Sequence, residues 1–148
     1  MVIIADREVT RDRASESDLD TKLFNAMVTH KDSTVKAIIA GRIDLPAKSQ
    51  RALASDPSSD VRLILANRSD LLPECVDTLA GDRDPIVRRI IAKHKDLSVK
   101  WQKVMAMDPN TNVRLAIAER SDLSAGVLRL LKKDDSDLME RALAKHGV

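Results

Sequence analysis

Aromatic residues make up only 1% of this 148-residue sequence, with one Trp, one Phe and no Tyr. Trp101 and Phe24 alone offer no repeated platform for stacking bases, which argues against aromatic readers of single-stranded or flipped nucleotides. The single cysteine, Cys75, forms no internal disulfide, and by itself it holds neither a thiolate zinc site nor an iron–sulfur cluster. The four glycines, Gly41, Gly81, Gly126 and Gly147, stand apart from one another, so there is no Gly-rich phosphate loop and nucleotide hydrolysis has no support. No apolar run approaches the ~20 residues that cross a bilayer, and the opening Met1-Val2-Ile3-Ile4 is too short for a signal-peptide core. A dominant charge is missing as well: 25 Lys and Arg face 23 Asp and Glu, for a net +2. That balance neither demands nor forbids a nucleic-acid partner. Together these absences read as a soluble, cytoplasmic chain from a reducing compartment, with no membrane partner and no cofactor.

What is present is a period. Asp-Leu pairs begin at Asp18, Asp44, Asp70, Asp96 and Asp122, and successive pairs are 26 residues apart. With that Asp as position 1, position 10 holds Met27, Leu53, Leu79, Met105 and Leu131. Position 18 holds Val35, Val61, Val87, Val113 and Met139, and position 22 holds Ile39, Leu65, Ile91, Ile117 and Leu143. Position 23 is Ala in all five units. Large apolar groups at 18, 21 and 22 followed by Ala fit the spacing of one helix face with a close contact.

The five prolines fall at positions 3, 4, 14 or 16, where a helix starts rather than continues. Two short helices per unit follow: helix A near positions 4 to 11, as in Pro73 to Ala80, and helix B near 16 to 24, as in Pro85 to Lys93. Helices of two to three turns are marginal alone, so stability requires stacked neighbours sharing one core. A strand-based leucine-rich repeat is disfavoured. The segment Leu63-Ile64-Leu65-Ala66-Asn67 comes closest to it, but Lys93 and Glu119 replace the buried Asn in its counterparts. The fold expected is an all-α solenoid of five two-helix repeats, 18–43, 44–69, 70–95, 96–121 and 122–148. Ahead of it, segment 1–17 is an N-terminal cap or linker in which Val2, Ile3 and Ile4 cover the first repeat.

The pattern Asp56-Pro57-x-x-x-Val61-Arg62-x-x-x-Ala66, then Arg68-x-Asp70-Leu71-x-Pro73-Glu74, resembles the leucine-rich repeat variant family. It recurs at Asp108-Pro109-x-x-x-Val113-Arg114-x-x-x-Ala118. The resemblance implies a right-handed superhelix in which an α-helix alternates with a short 3₁₀ helix. Asp at position 13 followed by Arg at 19 is similar to the ladder of HEAT repeats, read here as shared packing logic. The chain departs from the variant family in having no Cys in residues 1–17, so no redox function carries over, and in having basic residues where the family tends to Asn at position 25.

Two basic columns are the candidate binding surface. Position 25 holds Arg42, Arg68, His94, Arg120 and His146, a row of cations suited to a polyanion or an acidic protein. It also lies just past helix B, where such groups bond the last carbonyls and favour the helix dipole. Position 19 holds Lys36, Arg62, Arg88 and Arg114, for which pairing with the position 13 aspartates accounts for both columns. The position 1 aspartates sit before helix A and read as N-caps or turn acceptors rather than as a metal array. Cys75 shares its column with Leu23, Ser49, Trp101 and Val127, which marks a packed thiol. No convergent catalytic or metal-ligating set is apparent. The expected function is a non-enzymatic scaffold that binds another protein, with phosphate-backbone binding to nucleic acid as the alternative. The charged fifth unit reads as a polar C-terminal cap, and a homodimer through a solenoid end is the remaining partner reading.

Overall fold

Proline, serine and aspartate start the helices where the 26-residue spacing places them. The structure, a computed structural model, describes residues 21–147, so segment 1–17 and its capping residues lie outside the described residues. The described helices are α1 (Thr21–Val28), α2 (Ser33–Ala40), α3 (Ala47–Leu53), α4 (Ser59–Ala66), α5 (Pro73–Ala80), α6 (Pro85–Ala92), α7 (Val99–Met105), α8 (Thr111–Ala118), α9 (Ala125–Leu131) and α10 (Asp137–Ala144). Odd-numbered helices all start at position 4 and even-numbered ones at position 16, so both starts recur every 26 residues. Among the described residues the fold is all-α, with no strand. No described helix is long and apolar enough to cross a membrane.

Two expectations are corrected. The 3₁₀ segment implied by the family resemblance is not found among the described residues, because the short first helices close full α-turns. In α3, Gln50 N donates to Pro46 O at 3.0 Å and Ala54 N to Gln50 O at 2.9 Å. In α7, the amides of Gln102 and Ala106 reach Ser98 O and Gln102 O, each at 2.9 Å. The second correction concerns capping: the N-caps of α3, α7 and α9 lie at position 3 rather than at the position 1 aspartates. Ser98 and Ser124 accept there from Trp101 N and Val127 N, and Pro46 occupies the same place before α3. Position 15 caps the even-numbered helices, where Asp32, Asp84, Asn110 and Ser136 accept from the first-turn amides.

The chain forms two compact units that divide between Cys75 and Val76, within α5. In the first unit α1 packs on α2 and α3, while α2 packs on α3 and α4. In the second, α6 packs on α8, α7 on α8 and α9, and α8 on α9 and α10. In each unit, then, helices one period apart lie against each other, first helix on first and second on second. The apolar columns form these contacts: positions 10 and 18 are 0–1% exposed in every unit. Burial of each such Leu, Ile, Val or Met is worth roughly 1.5–3 kcal/mol, which offsets the weak intrinsic stability of helices only seven or eight residues long. The position 23 alanines 40, 66, 92 and 118 are buried, whereas Ala144 is exposed.

Candidate functional site

Stacking at a 26-residue period brings position 19 of one segment against position 13 of the next. Lys36 Nζ pairs with Asp56 Oδ2. Arg88 grips Asp108 with two bonds, Nε to Oδ2 at 2.7 Å and Nη2 to Oδ1 at 2.9 Å, and Arg114 Nε donates to Asp134 Oδ2 at 2.8 Å. These arginines also reach back to their own segment. Nη1 of Arg62, Arg88 and Arg114 donates to the carbonyls of Asp56, Asp82 and Asp108 at 2.7, 2.8 and 2.7 Å. Each position 13 carboxylate also accepts the amide two residues on through Oδ1, as in Asn110 N to Asp108 Oδ1 at 2.8 Å. At Arg88 and Arg114 a planar guanidinium is therefore clamped between two successive loops, a geometry Arg satisfies with its fixed fork of donors.

Position 25 is engaged in a second ladder. Arg42, Arg68 and Arg120 bond the position 1 aspartates two residues on, Asp44, Asp70 and Asp122, at 2.8, 2.8 and 2.7 Å. Arg68 Nη1 also donates to Ala40 O and Arg42 O, and Arg120 Nη1 to Ala92 O and His94 O. His146 Nε2 lies 2.8 Å from Ala118 O in the equivalent place. These arginines satisfy the exposed carbonyls that end the second helix of the preceding segment. His94 differs from its column. Its Nδ1 accepts the Asp96 amide at 3.3 Å, while its buried Nε2 has no hydrogen-bond partner among the described residues.

The charge pairing shows in the acidities. Arg42, Arg68 and Arg120 hold the carboxyls of Asp44, Asp70 and Asp122 below the usual range, chiefly through side-chain hydrogen bonds. Asp134 is lowered by Ser136 and Arg114. At Asp108 burial acts upward and is the largest single effect, but the bonds from Arg88 and the Asn110 amide, with the charges of Arg88 and Arg114, leave the net shift downward. A carboxyl lowered on folding stabilises the native state fully above its unfolded pKa of about 3.9 and loses that contribution as pH falls through the lower folded value. The urea midpoint is therefore expected to fall below about pH 4, and to fall less in Asp108→Asn. Equal acid sensitivity in the two proteins would contradict the assignment at Asp108.

Two further features were not apparent from the periodicity. Gln50 and Gln102, at position 7, are buried and bridge to the start of the next segment. Gln50 accepts Leu72 N at 3.0 Å and donates to Asp70 O at 3.4 Å, while Gln102 donates to Leu97 O at 3.2 Å and Asp122 Oδ2 at 3.3 Å. Their signal was a pair of amides in a column otherwise filled by Phe24, Val76 and Leu128. The second feature is a set of partly exposed aliphatic side chains on the second helices. In the first unit, Ile38 and Leu63 are half-buried and Ile64 is 38% exposed. In the second, Ile86 is 48% exposed, Ile90 and Leu115 are half-buried, and Ile86 with Pro85, Arg89, Asn110 and Asn112 lines a pocket of about 260 Å³.

Cys75 is buried, and burial together with the Glu74 charge pushes its thiol upward, which suits packing rather than nucleophilic chemistry. Among the described residues no group of three or more His, Cys, Asp and Glu side chains is placed to hold a metal ion. No protein-family model matches the chain, and neither a curated protein nor a solved structure shows significant similarity to it.

Proposed function

We propose that the chain is a non-enzymatic helical-repeat module that binds a protein partner. Its architecture in this reading is a right-handed α-solenoid of five 26-residue repeats similar to the leucine-rich repeat variant family. The observation that carries the reading is the contrast between the two surfaces just described. Lys36 and the arginines of positions 19 and 25 are engaged by carboxylates and carbonyls of the chain itself, His94 alone keeping an unpartnered ring nitrogen. The second helices meanwhile keep large aliphatic side chains partly exposed, at Ile38, Leu63 and Ile64 in one unit and Ile86, Ile90 and Leu115 in the other. A row of phosphates needs donors that are free to meet it, whereas a protein partner is held by apolar anchors that it desolvates.

Fluorescence anisotropy of labelled duplex and single-stranded oligonucleotides at low salt separates the two partner classes. The expected result is no saturable binding in the ~10⁻⁴ to 10⁻⁶ M range typical of non-specific phosphate contacts. Micromolar binding whose affinity falls steeply with salt would replace the protein reading with the nucleic-acid one. The complementary arm is cross-linking in cell extract. A captured protein is expected to be lost with Ile64→Arg plus Ile86→Arg and retained with Ile43→Arg, which changes a loop residue that is 96% exposed.

A further inference from the structure

The position 19 to position 13 ladder has the same polarity wherever it is seen: a cation from one segment meets a carboxylate of the next, as in Lys36–Asp56, Arg88–Asp108 and Arg114–Asp134. At its two ends the chemistry is reversed. Position 13 of the first segment is His30 instead of Asp, and position 19 of the last is Glu140 instead of a cation. His30 nevertheless keeps the local geometry of its column. Its Nδ1 accepts the Asp32 amide at 3.0 Å, as Asp56 Oδ1 accepts Ser58 N at 2.9 Å and Asp108 Oδ1 accepts Asn110 N at 2.8 Å. An acceptor at Nδ1 puts the ring proton on Nε2, so a donor occupies the place where the aspartates offer their second oxygen. Glu140 is exposed and supplies only acceptors.

The face around Glu140 is uncovered in other respects. Ala144 is exposed although Ala40, Ala66, Ala92 and Ala118 are buried, and Lys132 is exposed at position 11, where Val28, Ala54, Ala80 and Ala106 are buried. Glu140 and Lys132, with Leu143, Asp134 and Asp135, line an open cavity of about 300 Å³. A face that only needed to stay in solution would require polar groups and nothing more. Here the anion at position 19 has its complement at position 13 of the same chain.

We propose that two copies of this chain dock end to end, the last segment of one against the first segment of the next, with Glu140 accepting from His30 Nε2 in a continuation of the ladder with donor and acceptor exchanged. The longer imidazole makes up part of the reach lost when Glu replaces Arg. Because the contact joins two different faces, it is heterologous and propagates into open-ended or ring-closed oligomers rather than stopping at a two-fold dimer. The inference rests on the repeat reading, through the stacking geometry, but not on any outside partner.

Sedimentation velocity of the purified full chain over a range of concentrations tests it. The wild type is expected to show a weight-average mass that rises with concentration. His30→Asp sets a carboxylate against Glu140, and Glu140→Arg sets a guanidinium against the imidazole, so each is expected to weaken association about tenfold or more. The double variant His30→Asp plus Glu140→Arg restores the Arg–Asp pair of the interior and is expected to regain association. Both substitutions install the residue that other units already carry at that position, so the fold is kept, and circular dichroism checks it. A wild type that stays monomeric at every concentration overturns the proposal. A discrete dimer indifferent to both single variants overturns it, as does a double variant that fails to recover. The oligonucleotide and cross-linking results are independent of all these outcomes, so failure of self-docking is distinguishable from failure of the protein-binding reading.

Discussion

Arg88→Ala is expected to cost about 3–5 kcal/mol of unfolding free energy, the range for removing one member of a buried ion pair. The Asp108 side chain is 7% exposed and that of Arg88 15%, and the two share two bonds of 2.7 and 2.9 Å. Removing the guanidinium leaves the Asp108 charge in a site whose burial already opposes ionisation, and it strips the donor at 2.8 Å from Asp82 O. Two controls isolate the cause. Arg88→Ala combined with Asp108→Asn removes the stranded charge while keeping an acceptor for the Asn110 amide, so part of the loss is expected to return. Arg51→Ala breaks the Arg51–Glu74 pair, whose side chains are 55% and 50% exposed, and is expected to cost less than about 1 kcal/mol. Urea denaturation of the four proteins orders them. A single Arg88→Ala no worse than Arg51→Ala would mean that the ladder is decorative, and the position 19 cations would return as candidates for an outside anion.

The helix starts were readable because they depend on local chemistry. Proline at positions 4 and 16 and apolar groups at 10, 18 and 22 act within one turn, and the observed boundaries differ from the spacing-based ones by about a residue. The direction of the position 19 ladder was harder, for a geometric reason. In a perfect 26-residue repeat, pairing Arg with the Asp six residues before it and pairing it with the Asp 20 residues after it produce identical columns. Only the ends break the tie. Pairing within a segment would match Lys36 with His30 and Glu140 with Asp134, which gains nothing and sets like charges together. Pairing between segments gives the observed Lys36–Asp56 and Arg114–Asp134. The position 1 aspartates misled for a related reason: a carboxylate before a helix suits an N-cap, but a guanidinium two residues upstream competes for it and wins in Arg42–Asp44, Arg68–Asp70 and Arg120–Asp122. The partly exposed Ile64 and Ile86 were hidden by their aliphatic character, since hydrophobicity alone does not say which side of a short helix its neighbours cover.

The interior of the second unit gives the other large effect. Helix α8 packs against α6, α7, α9 and α10, and its Ile117 side chain is 0% exposed, with Val113 and Ala118 equally buried beside it. Truncation there opens a void that four surrounding helices, each only seven or eight residues long, must either leave or collapse into. Ile117→Ala is expected to cost about 2–5 kcal/mol and Ile117→Val about 0.5–1.5 kcal/mol. Against a total stability of about 5–15 kcal/mol, the alanine variant should lose a large share of its urea resistance. Trp101 lies on α7, which contacts α8, so its fluorescence reports the transition from within the same unit. Leu115 sits on the same helix but is only half-buried, and Leu115→Ala should therefore shift the midpoint much less. Equal shifts for the two alanine variants would mean that the face carrying Leu115 is covered in solution, which is the result expected wherever that face holds a partner.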